Sequence, residues 1–130
     1  MLLLSGCGEA PPECGSLDAR NTVVKVISDD SNNALVNYAA RNSSVVAAMV
    51  SNANTEVEKS AILQKARQGA TYRLDDTIRA NSTNKAKHAV TCTGVLYATV
   101  EDTTAQKELD FRVEQAADGK ISISVSPFQF

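Results

Sequence analysis

An α+β fold, with N-terminal helices packed on a four-stranded antiparallel meander sheet, is predicted by three observations. Apolar residues recur at helical spacing from Ser16 to about Asn42, a capping sequence opens a further helix at Thr55, and everything after Gly69 changes to alternation. The chain has 130 residues, 43% hydrophobic and 5% aromatic. That suffices for one small domain with one core and rules out a two-domain enzyme. Thirteen Lys+Arg stand against 15 Asp+Glu with no basic block, which argues against a nucleic-acid partner.

The first helical stretch sets Val23, Val24, Ile27, Leu35 and Tyr38 on one face, and Ser16 or Asp18 can cap its start. The polar run Asp29-Asp30-Ser31-Asn32-Asn33 interrupts that face, so the segment is one kinked helix or two short ones. Val45 to Val50 is an apolar hexamer whose Ala and Met favour continued helix. Thr55-Glu56-Val57-Glu58 reads as a capping box, with the Thr55 hydroxyl satisfying one orphan amide and Glu58 reaching back to another. The helix it opens stops at Gly69, which can take a left-handed conformation. Beyond it Tyr72, Leu74, Ile78 and Ala80 fall on even positions, as do Val90, Cys92, Leu96, Ala98 and Val100. Leu109, Phe111 and Val113 alternate with Asp110, Arg112 and Glu114. Asp118-Gly119 marks a hairpin turn, after which Ile121, Ile123 and Val125 alternate with Ser122, Ser124 and Ser126. Strands with one apolar face need a cover, which the helices supply.

The start of the chain has a different character. Leu4-Ser5-Gly6-Cys7 resembles the lipobox of bacterial lipoproteins, in which small residues admit the signal peptidase and the thiol receives a diacylglycerol. The resemblance implies that Cys7 is the mature, lipidated N-terminus, that the membrane is reached through that lipid, and that the domain faces the periplasm. Glycine after Cys7 favours the outer membrane. Only Leu2, Leu3 and Leu4 precede the box, fewer than the roughly 7–15 apolar residues of a signal, so either the chain starts upstream of Met1 or the signal is inactive as written. Gly8 to Glu13 reads as a Pro-containing tether, which divides the chain into a lipobox and tether over 1–15 and one α+β domain over 16–130. The competing possibility is a chance apolar start to a cytoplasmic protein.

If Cys7 carries lipid, Cys14 and Cys92 remain, and a pair in an exported chain reads as a disulfide. So long a loop contributes about 4.5 kcal/mol through chain entropy. Two buried thiols are the alternative in a cytosolic protein. Cys92 shares the inward face with Val90 and Leu96, and Cys14 precedes the first helix, so the bridge would staple the start of the helical layer to the sheet. With Cys14, the Val23–Ile27 helix, the Leu74–Arg79 strand, Thr91-Cys92 and the Ala117–Lys120 hairpin in this order, the chain resembles small bacterial lipoproteins of the cystatin-like fold.

No reaction is indicated. His88 and Cys92 on one strand lie about 13 Å apart, too far to share a zinc, and no cofactor site is expected. The acidic pairs Asp29-Asp30, Asp75-Asp76 and Glu101-Asp102 lack the loop pattern of a calcium site. A non-enzymatic protein-binding module follows, and its candidate partner face carries Thr93, Tyr97, Thr99 and Arg112 with the serine row beside them. The alternative is an NTF2-like domain holding a small hydrophobic ligand between helices and sheet, with His88 and Tyr72 near its mouth.

Overall fold

The computed structural model describes residues 12–125. Helices α1 (Leu17–Asp29), α2 (Ala34–Asn42), α3 (Ser44–Ser51) and α4 (Glu56–Gln68) precede strands β1 (Thr71–Leu74), β2 (Arg79–Asn84), β3 (Ala89–Val100), β4 (Thr103–Gln115) and β5 (Ile121–Val125). All pairing is antiparallel. The expected α+β layering is present, with helices against one face of the sheet. Cys7 and the partner serine Ser126 lie outside the described residues.

The helical layer is built at its punctuation. Ser16 caps α1 by accepting from the Ala19 amide at 3.2 Å. The polar run after Asp29 separates two helices. Asn33 caps α2 at the Val36 amide, 2.8 Å, and its own amide nitrogen donates to the Ile27 and Asp30 carbonyls and the Tyr72 hydroxyl at 3.2, 2.8 and 2.9 Å. The Val45–Val50 hexamer is helical, yet it starts a new helix because Ser43 ends α2 and caps α3 at Val46. Thr55 caps α4 as its sequence indicates, while Glu58 reaches the Asn54 amide one residue further back. Gly69 closes α4 with φ −85°, not left-handed, through its N–H to the Lys65 carbonyl. Val23, Ile27 and Leu35 are buried as their spacing implies, but Tyr38 is 43% exposed because α2 turns Val36, Ala39 and Ala40 to the core instead.

Among the described residues the sheet has five strands, not four. The stretch expected as one strand around Leu74–Arg79 breaks over Asp75–Ile78, and its halves β1 and β2 pair with β3 along the same edge. Arg20 of α1 accounts for the break: its guanidinium bonds the Leu74 carbonyl and the Asp76 carboxylate, drawing the chain toward α1. Among the described residues no helix packs closely on β2, so Ala80, expected inward, is exposed. β3 and β4 pair without a register shift from Ala89↔Glu114 to Val100↔Thr103. Their inward residues Val90, Cys92, Leu96, Phe111 and Val113 meet Val23, Ile27, Leu35 and Val36 in one core. Gly94 lies there too, where a Cβ would stand 3.3 Å from Leu74 Cδ1 and 3.8 Å from Phe111 Cε1. Its missing side chain lets these two groups close over β3.

Cys14 and Cys92 are joined by a disulfide with Cα atoms 5.8 Å apart, across 78 positions of sequence. Pro12 is buried as well, so the folded body begins before Ser16. Replacing both cysteines by alanine is expected to lower unfolding free energy by up to about 4.5 kcal/mol, read as a lower urea midpoint with a larger m as the unfolded chain expands. A loss below about 1 kcal/mol would show that the unfolded chain gains little freedom when the loop opens.

Candidate functional site

Among the described residues no helix covers the outer face of the sheet, and the predicted partner residues are distributed over it unevenly. Tyr97 and Thr99 stand together at one end. Arg73, the cross-strand partner of Tyr97, lays its guanidinium 4.4 Å from the ring centroid, a cation–π contact that holds the ring against the sheet. The Thr99 and Thr104 hydroxyls are 2.9 Å apart. With Thr71 and Tyr72 these residues border a shallow depression of about 260 Å³.

Thr93 and Arg112 do not join that group. Thr93 points to the outer face as alternation requires but is only 5% exposed. Its hydroxyl donates to Asp110 at 2.6 Å and accepts from Asn81, whose strand shifts register between Ala80 and Ser82 and so covers it. Arg112 pairs with Glu114 at 3.2 Å and faces Thr91 and Ser124 across the strands. Gln106 faces Tyr97, so Arg112 lies about 20 Å along β4 from the Tyr97 level. The usable part of the predicted face is therefore Tyr97, Thr99 and their neighbours Arg73 and Thr104.

His88 and Tyr72 are not brought together. His88 sits exposed with φ 49° at the turn before β3, whereas Tyr72 pairs with Ala98 near the other end of that strand. About 30 Å separates the two levels, which removes the expected mouth between them. Tyr72 is half-buried and serves the α1–α2 joint through Asn33; its burial raises the phenol pKa above 10.0.

The acidic pairs are mostly committed to turns. Asp29 meets Lys25 at 3.0 Å, Asp75 meets Arg73 at 3.6 Å and Asp76 meets Arg20. Among the described residues no group of three His, Cys, Asp or Glu is arranged to hold a metal, and no helix is long and apolar enough to cross a membrane. Asp102 accepts from the Ser43 and Ser44 hydroxyls, each at 2.6 Å, tying the β3–β4 turn to the α2–α3 joint. These two hydrogen bonds hold its carboxyl well below the usual carboxylate range.

One feature has no counterpart among the sequence-predicted residues. A cleft of about 810 Å³ opens where α3 and α4 meet the ends of β1 and β3, bordered by Met49, Ile62, Lys65, Ala66, Thr71 and Glu101. The available signal was the apolar hexamer before the Thr55 cap: Val45 and Met49 are 40% and 37% exposed, a degree unusual for so apolar a helix.

No family model, curated protein or solved structure matches this chain.

Acid sensitivity follows from Asp102. A carboxylate whose folded pKa is depressed contributes stability that is present above its ordinary value of 3.8 and is lost as pH falls toward the folded value. Urea midpoints measured between about pH 6 and pH 2 should fall less steeply in Asp102→Asn than in the parent. Identical acid limbs would show that the serine contacts do not persist in solution.

Proposed function

We propose that this chain is a lipid-anchored domain of the bacterial cell envelope that binds another protein and catalyses no reaction. The observation that carries the proposal is the Cys14–Cys92 bond. Structural disulfides belong to oxidising compartments, and this one uses two of the three cysteines, leaving Cys7 in its lipobox setting as the remaining thiol. The helices-first order and single antiparallel sheet support a cystatin-like assignment within the α+β class.

The anchor would be close. Pro12 is buried, and the residues from Cys7 to Pro12 span at most about 18 Å, so a lipid on Cys7 keeps the domain near the bilayer. The partner-facing end would be turned away from it. Tyr97 and Thr99 lie about 17–23 Å along β3 from Cys92, where the N-terminal segment is fastened. An aromatic ring pinned by Arg73 and ringed by threonine hydroxyls suits a wet protein contact, because its shape is set before a partner arrives.

The proposed placement predicts the covalent state of the native protein. Intact mass should show diacylglycerol on Cys7 and the loss of the two thiol hydrogens of Cys14 and Cys92, and Cys7→Ser should move the protein from the membrane to the soluble fraction. Unmodified Cys7 together with free thiols would overturn the envelope assignment. The partner face is tested by Tyr97→Asp with Thr99→Asp: recovery of an envelope partner should drop, and unchanged recovery would eliminate this face.

A further inference from the structure

We propose that the cleft between α3, α4 and the β3–β4 turn is a binding site for a short apolar peptide with both termini free. The proposal is independent of the lipid anchor and of the Tyr97 face. The cleft's volume, about 810 Å³, falls within the range of roughly 300–1,000 Å³ that small-ligand sites occupy. Its apolar wall is Met49, Ile62 and Ala66, and the chain from Asn42 to Thr55 contributes no charge to it.

Its two charged lining residues are of opposite sign. Lys65 comes from the last turn of α4 and Glu101 from the turn joining β3 to β4. Among the described residues, neither side chain makes an ion pair or hydrogen bond. Glu101 also has φ 52°, at the first position of a two-residue hairpin turn where glycine is the usual occupant. The backbone there is strained by a side chain the turn does not need, and strain of this kind is a reason to look for a functional role.

One ammonium and one carboxylate flanking an apolar wall are complementary to a zwitterion with an apolar body. A fatty acid would satisfy Lys65 and leave a carboxylate facing its chain. A phosphorylated ligand would be repelled by Glu101. A short peptide of apolar residues matches both: its C-terminal carboxylate meets Lys65, its N-terminal ammonium meets Glu101, and its side chains cover Met49 and Ile62.

The probe is the tripeptide Leu-Leu-Leu, titrated calorimetrically into the oxidised full chain alongside its N-acetylated and C-amidated forms. The free peptide should bind saturably, and each cap should weaken it by roughly two- to fivefold, the effect of an exposed ion pair. Lys65→Gln should weaken the free peptide while leaving the C-amide unchanged. Glu101→Gly should weaken the free peptide while leaving the N-acetyl form unchanged, and relief of the left-handed backbone should raise its melting temperature by about 3–5 °C. Met49→Lys, at an exposed position, should weaken all three peptides. No saturable binding, or binding that neither cap alters, overturns the proposal. The capped peptides make this comparison on the parent protein, so the result does not depend on any variant folding.

Discussion

Strand β3 and the bond made to it constrain everything else in this protein. It is paired along its length by β4 on one edge and by β1 and β2 in line on the other, and Cys92 projects from its inward face with no exposed surface. A disulfide from that position to Cys14 fastens the segment just before α1 to the sheet. α1 is then held over the β1 end, where Arg20 reaches the Leu74 carbonyl and Asp76, and its Val23 and Ile27 complete the core. The core has few large rings, with Phe111 the largest fully buried side chain. A covalent restraint on the unfolded chain matters most where apolar burial is modest.

The helical layer is fastened to the sheet by the residues that separate its helices. Asn33 caps α2 and bonds the Tyr72 hydroxyl of β1. Ser43 caps α3 and donates to Asp102 in the β3–β4 turn. Both are buried, and both have their polar atoms satisfied, as buried polar groups require. Each does two jobs with one side chain: it ends a helix run and sets where the next helix lies on the sheet. The second of these joints also orients the turn carrying Glu101, so the geometry of the cleft depends on a cap.

The two candidate binding surfaces draw on different physics. The Tyr97 face is shallow and hydroxylated, and its order comes from a cation–π contact and a threonine pair. The cleft is concave, partly apolar and edged by uncommitted charge. Of the face inferred from alternation, Tyr97 and Thr99 were legible because strand parity decides which side a residue occupies. Thr93 was misplaced among the exposed residues, since a register shift in β2 brings Asn81 over it. Arg112 has the right parity and the wrong level, because parity says nothing about distance along a strand. His88 and Tyr72 failed as a pair for the same reason.

The sequence by itself determined the class of fold, the cap at Thr55, the alternation of β3 and β4, and the pairing of Cys14 with Cys92 once Cys7 was set aside; in β5 Ile121, expected inward, is 38% exposed. These are local or arithmetical properties: a capping hydroxyl, a period of two, an even number of thiols. The tertiary structure alone decided the break in the first strand, because it arises from Arg20, more than fifty positions away from the residues it pulls. It alone decided that Val45 to Val50 stays largely uncovered, since periodicity cannot say what lies beside a helix. The cleft belongs to this second group, as its walls come from helices and strand ends that meet only when the chain has folded.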